Sequence, residues 1–168
     1  DQEQKALPIG KGELLCDGTE VAIMAIGVPV SHAVAAAKRL EEEGISTAVV
    51  NARFVKPLDQ DLIVEVAKRV RYVVTVEEGC KMGGFGSAVL EALSDGGVTD
   101  VMTKVIGLPD WYIEQGPQDF LRERYGLTAD GIYQSVKELI DRIPATSREK
   151  FTFASSADRL PHGDEQGS

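Results

Sequence analysis

Two adjacent carboxylates, Glu77 and Glu78, stand shortly before a glycine-rich loop, Gly83-Gly84-Phe85-Gly86. Paired carboxylates can do general acid–base work when burial raises the pKa of one of them. A glycine loop that follows a strand and opens a helix can hold a phosphate on its backbone N–H groups. Neither pattern is complete here. The dinucleotide fingerprint GxGxxG is not matched, nor is the P-loop with its Lys and Ser/Thr. Glu77 and Glu78 are neighbours in an extended segment, so their side chains should point to opposite faces and make a poor dyad. Packing is therefore the first expectation for Gly83, Gly84 and Gly86, with contact to a ligand as the alternative.

Arg53 follows a predicted strand and should share a sheet edge with Glu77 and Glu78. In open α/β sheets that edge binds ligands, but an internal ion pair that orders the loops is the plainer reading, of Arg53 with Glu77 or, should the strand phase be reversed, with Glu78. Arg122 lies on a short helix and reads as a solvated or salt-bridged side chain. His32 falls in the first turn of a helix with no Ser, Cys or Asp at motif spacing, so it reads as a capping or surface residue. His162 is equally solitary. Cys16 and Cys80 lie far apart with no CxxC neighbour, which predicts small, partly buried thiols in a reducing compartment. No cluster of His, Cys or carboxylates has metal-ligand spacing.

Alternating strand and helix patterns must position these residues. Val21 to Ile26 is a continuous apolar run, as in a strand buried on both faces. Val30, Ala33, Val34, Ala37 and Leu40 then recur at helical spacing, followed by a solvated turn at Glu41 to Glu43 and by Gly44. Ile45–Val50, Tyr72–Val76 and Val101–Ile106 read as further strands. A helix capped by Asp59 and one opening at Phe85 lie between them. Pro117 opens a short helix, and Thr128 caps a last one that carries Ile132, Val136, Leu139, Ile140 and Ile143 on one face. Strands joined by helices imply parallel pairing in a three-layer α/β/α sandwich. Glu13 to Cys16 adds a fifth strand, and the turn at Asp17-Gly18 by itself suggests a hairpin with the strand at Val21.

Composition sets the outer limits. The chain has 168 residues, 43% hydrophobic and 27% charged, which suits one soluble domain. Lys and Arg total 18 against 27 Asp and Glu, for a net charge of −9 that disfavours nucleic acid. No apolar run is long enough for a membrane span, and the first residues lack a signal-peptide layout, so a cytoplasmic location is expected. The expected organisation is a linker over 1–11, a domain over 12–143 and a largely disordered tail over 144–168.

Several strings in this frame are familiar together: Ala52-Arg53-Phe54-Val55-Lys56-Pro57-Leu58-Asp59, Val76-Glu77-Glu78-Gly79, Met82-Gly83-Gly84-Phe85-Gly86 and Ile106-Gly107-Leu108-Pro109-Asp110. With Leu7-Pro8-Ile9-Gly10-Lys11-Gly12, they make the chain from about Leu7 to Ile143 resemble the C-terminal domain of 1-deoxy-D-xylulose-5-phosphate synthases. The wider family includes transketolases and the beta subunits of pyruvate and branched-chain dehydrogenases. Trp111-Tyr112 and Gln115 depart from the family's usual residues in the loop after the last strand.

The resemblance implies a five-stranded mixed sheet, mostly parallel, with a first strand that is antiparallel and not paired with the second. It implies a parent enzyme, a homodimer, that uses thiamine diphosphate and Mg2+ to join pyruvate to glyceraldehyde 3-phosphate for isoprenoid and thiamine biosynthesis. Cofactor, metal and catalytic histidines belong to the preceding domains, so this chain should bind none alone and should serve as a scaffold. Arg53, Glu77, Glu78, Gly83, Gly84, Gly86 and Arg122 would form a domain-interface or sheet-edge site, and Arg122 matches an arginine of the synthase pattern that would help hold a phosphate-bearing substrate. The alternatives are the matching domain of a transketolase or dehydrogenase beta subunit, or a free-standing module for a small anion.

Overall fold

The computed structural model describes residues 6–142. The strands are β1 (Glu13–Cys16), β2 (Val21–Ala25), β3 (Thr47–Asn51), β4 (Tyr72–Cys80) and β5 (Met102–Leu108). The helices are α1 (Pro29–Glu42), α2 (Gln60–Ala67), α3 (Phe85–Asp95), α4 (Gln118–Arg124) and α5 (Ala129–Asp141). One sheet has the order β1-β3-β2-β4-β5, with β1 antiparallel and the other four parallel. This is the expected mixed five-stranded sheet. The tail over 144–168 and Ile143 lie outside the described residues.

The apolar strands explain the layering. Every residue of β2 is buried, because β2 has strands on both sides and helices on both faces. Val21, Ile23 and Ala25 pack with α1 and α5, while Ala22 and Met24 pack with α2 and α3. Residue parity alone assigns each side chain to a face.

The hairpin suggested by the Asp17-Gly18 turn does not form. β1 pairs with β3 instead, Glu13 opposite Asn51 and Leu14 opposite Val50. A half-exposed, charged strand suits a sheet edge, whereas β2 is already hydrogen-bonded on both sides. The connection from β1 to β2 crosses the amino end of β3, where Glu20 N–H donates to the Ser46 carbonyl. Gly18 permits the crossing, since a Cβ there would lie 2.3 Å from Ala48 N.

Strand β4 also runs beyond its apolar stretch. Its register against β5 shifts between Val76 and Cys80, after which Cys80 pairs with Leu108. The extended segment Glu77–Gly79, beyond the predicted strand Tyr72–Val76, thus continues β4 with an irregularity, a device that re-aims side chains at a sheet edge.

Candidate functional site

The parallel strands end at one edge, where the residues singled out in the sequence gather. Strand alternation sends Glu77 towards α3 and Glu78 to the opposite face. Glu77 is 5% exposed. Its Oε2 accepts the Phe85 N–H at 2.8 Å and its Oε1 accepts the Gly86 N–H at 2.8 Å. The N-cap of α3, Gly84, has no side chain to cap with, and Glu77 takes over that role from β4. First-turn N–H groups and the helix dipole both favour a negative charge here. A carboxylate of the chain itself therefore holds the position that a phosphate would take.

The glycines serve the same arrangement. A Cβ on Gly84 would lie 2.2 Å from the Cys80 carbonyl oxygen and 2.3 Å from Glu77 Oε2. One on Gly86 would lie 2.5 Å from Val105 Cγ1 and 2.8 Å from Thr75 Oγ1. Gly84 and Gly86 seat α3 against its own sheet, in line with the packing reading of the loop. Gly83 has no atom within 4 Å of its Cβ position.

On the other face, Arg122 Nε donates to Glu78 Oε1 at 2.7 Å, and Nη1 donates to Asp119 Oδ1 at 3.1 Å. Nη2 donates to Gln118 Oε1 at 3.2 Å. The hydrogen bond to Glu78, ahead of a smaller opposing effect of burial, raises the Arg122 pKa above its already high value. Arg122 lines a hollow of about 230 Å³ with Glu78, Leu108, Ile113, Leu121 and Leu127. It also lines one of about 380 Å³ with His32, Thr128 and Asp130. Of the charges around them, Arg122 is paired with Glu78 and Asp119, and Asp130 with Arg39.

Arg53 does not pair with Glu77. Its guanidinium meets Glu13 of β1, and its N–H donates to Asn51 Oδ1 at 3.1 Å. The turn after β3 holds Arg53 at φ 58°, a left-handed conformation that few non-glycine residues adopt. Arg53 thus ties β1 to the end of β3, and the Asn51 side chain fixes its backbone. His32 neither caps its helix nor stands free. Its Nδ1 donates to the Leu127 carbonyl at 2.8 Å, joining α1 to the turn before α5. Nor is the end of α1 simply solvated: Glu41 Oε1 accepts the Thr47 N–H at 2.6 Å, and Glu43 receives Tyr133 and Lys137.

Asp59 does more than cap a helix. It is 7% exposed, and its Oδ2 accepts the Gly12 N–H at 3.0 Å while Oδ1 accepts Lys11 Nζ at 3.1 Å. The α2 cap thereby anchors the segment that leads into β1. No sequence pattern marks that partnership, because Gly12 and Asp59 are 47 residues apart.

The described residues do not fit a thiamine diphosphate and metal site. The N–H groups at the start of α3, beside the glycine-rich loop, are taken by Glu77, and the donors of Arg122 are directed at Glu78, Asp119 and Gln118. Among the described residues no group of three or more His, Cys, Asp or Glu is placed to hold a metal ion. Nor is any helix among them long and apolar enough to cross a membrane.

Fold and sequence agree on the class. Residues 10–132 match the family model for the transketolase C-terminal domain, and the chain belongs to that family. A solved structure described as a split-gene transketolase, an inactive beta4 tetramer, is similar with a TM-score of 0.73 and 39% identity, over 80% of this chain and 44% of that one. More particularly, the chain corresponds to the C-terminal domain of 1-deoxy-D-xylulose-5-phosphate synthase. It is 52% identical to such a synthase from Geobacter sulfurreducens over 79% of this chain and 21% of the relative. It is also 52% identical to one from Syntrophotalea carbinolica, over 85% of this chain and 23% of the relative. The chain therefore spans about a fifth of the length of these relatives.

Proposed function

We propose that this chain is a non-catalytic structural domain of a cytoplasmic, homodimeric 1-deoxy-D-xylulose-5-phosphate synthase. The parent enzyme would use thiamine diphosphate and Mg2+ held in its other domains to join pyruvate to glyceraldehyde 3-phosphate, supplying isoprenoid and thiamine biosynthesis. One observation supports the scaffolding role above others: Glu77 fills the anion position at the start of α3, so the glycine-rich loop builds the domain and leaves no cradle for a phosphate. Arg53 and Arg122 point the same way, each directed at carboxylates of the domain itself.

The test is a calorimetric titration of the 168-residue chain with thiamine diphosphate and Mg2+. No saturable heat is expected up to about millimolar ligand, the weak-binding limit near −4 kcal/mol. Pyruvate and glyceraldehyde 3-phosphate should give no product above a protein-free blank. Micromolar binding or turnover would overturn the reading.

A further inference from the structure

Most of the large apolar side chains left exposed stand at one edge of the sheet. Val28 follows β2, Val55 follows β3, Met82 follows β4, and Trp111 and Tyr112 follow β5, with Phe120 on the next helix. Trp111 is 70% exposed and Tyr112 89%. Scattered exposed apolar residues are ordinary on a protein surface, but a group on one face marks an interaction site. The parallel strands carry these loops at their carboxyl ends, and four strands about 4.8 Å apart span only about 14 Å. Leu15 on β1 and Leu90 on α3 are exposed elsewhere.

The chain enters the domain at this same edge. Gly10 lies against Pro57, Lys11 and Gly12 bond to Asp59, and Glu13 sits opposite Asn51, the last residue of β3. Leu7 and Ile9, in the entering segment, are 57% and 79% exposed. The described part of the entering segment therefore lies at the same edge as the apolar loops. In the synthases that this chain resembles, roughly four-fifths of the length lies outside the matched region, since the match covers 21% of one and 23% of another.

We propose that the carboxyl edge of the sheet is the surface on which the upstream part of the parent enzyme docks, with Trp111 and Tyr112 as anchors. This rests on the reading of the chain as one domain of a longer synthase. The partner is a largely apolar surface of the same polypeptide with a polar rim. Aromatic side chains bury about 150–250 Å² each, and the parts of Trp111, Tyr112 and Phe120 still exposed would supply roughly 300–500 Å². Contacts between domains of one chain span about 600–1,500 Å², which the neighbouring Val28, Val55 and Met82 help to reach. Trp and Tyr are also the residue types that dominate interface energetics.

Hydroxyl-radical footprinting of the native protein from its source, beside the 168-residue chain, tests this once the intact mass of the native protein is measured. A several-fold larger protein in which Met82, Trp111 and Tyr112 oxidise several-fold more slowly than in the short chain, with Leu90 unchanged, supports the proposal. A larger protein with equal oxidation overturns the docking surface and leaves the domain assignment standing. A native mass equal to that of the short chain overturns both. Trp111→Ala with Tyr112→Ala should lower the melting temperature of the long protein and not that of the short chain. Equal lowering in both would assign the aromatics to the domain's own stability. Dimerisation of the short chain that these substitutions abolish would assign the surface to a second copy, and would likewise overturn the proposal.

Discussion

Glu77 closes the helix that begins at Phe85, its Oε2 accepting the Phe85 N–H at 2.8 Å from a side chain that is 5% exposed. One carboxylate thus joins β4 to the start of the helix covering it. A buried acceptor with two helix N–H partners stabilises far more than a surface contact does, because removing it strands donors in the interior.

Glu77→Ala should therefore destabilise the domain by about 2–3 kcal/mol, from charged hydrogen bonds and the helix dipole together. Glu77→Gln should fall between, since its amide oxygen can serve one N–H while its NH2 opposes the other. Glu78→Ala breaks a half-exposed ion pair and should cost about 1 kcal/mol or less. Urea melting at neutral pH gives all three values. Equal losses for Glu77→Ala and Glu78→Ala would show that water replaces the cap.

A second prediction follows from Arg53. Its partner is Glu13, so Arg53→Ala and Glu77→Ala should be additive within about 0.3–0.5 kcal/mol, as for independent sites. Arg53→Ala and Glu13→Ala should couple measurably in the same double-mutant cycle. Coupling between Arg53 and Glu77 would contradict the geometry.

Why the sequence misplaces Arg53 is a matter of range. The apolar periods of β2, β4, α3 and α5 reveal those elements, because burial of a strand or helix face leaves a regular imprint. Asp59 is readable as a cap because the capping bond is local. The partner of Arg53 lies on an edge strand whose placement depends on which neighbours β2 has already taken, and no local pattern encodes that. The same holds for Asp59 with Gly12. Glu77 and Glu78 are intermediate. Alternation along the strand separates their faces, but only the folded loop shows that one meets helix N–H groups and the other Arg122. The glycine loop resembles a phosphate cradle because both devices need backbone N–H groups at a helix start.

The glycines give a third prediction. Gly86→Ala would set a methyl 2.5 Å from Val105 Cγ1, and Gly84→Ala would set one 2.2 Å from the Cys80 carbonyl oxygen. Overpacking of this kind costs about 1–3 kcal/mol, and Gly84→Ala should be the worse because a backbone atom cannot swing aside. Gly83→Ala meets no atom but keeps a φ of 72°, which costs about 1–2 kcal/mol for an L residue. Thermal melting should rank Gly84→Ala lowest. A melting temperature for Gly84→Ala at or above that of Gly83→Ala would mean that α3 can lift from the sheet.

Thr75 supplies a prediction of opposite sign. Its Oγ1 is buried without a hydrogen-bond partner, facing Gly86 across the sheet–helix contact. An unsatisfied buried hydroxyl costs about 1–3 kcal/mol, and an apolar group of the same shape removes that cost. Thr75→Val should leave stability unchanged or raise it by about 1 kcal/mol in urea melting, whereas Thr75→Ala should lower it by opening a cavity. A clear loss for Thr75→Val would show that the hydroxyl is satisfied in solution.

The last prediction concerns acid stability and Asp59. Burial by itself would raise the pKa of this carboxyl, but the Gly12 N–H, the Lys11 ammonium and the Leu62 N–H together outweigh it and hold the pKa below the usual Asp range. An Asp in an unfolded chain titrates near pH 3.9, roughly. A folded value below the unfolded one means that folding favours the ionised form. The stability that Asp59 contributes is thus fully present above the unfolded pKa and is lost as pH falls through the folded one. Asp59→Asn cannot be ionised, so it should be less stable than the unaltered chain at pH 7, by about 1–2 kcal/mol for a weakened cap and a lost ion pair. The gap should narrow as pH drops below about 4, because the carboxylate then loses its advantage. Hydrogen exchange at Gly12 should be faster in Asp59→Asn at neutral pH, since that amide donates to the carboxylate. A stability gap that stays constant from neutral to acid pH would mean that Asp59 acts through shape alone, and that its charge does not hold the entering segment to the edge of the sheet.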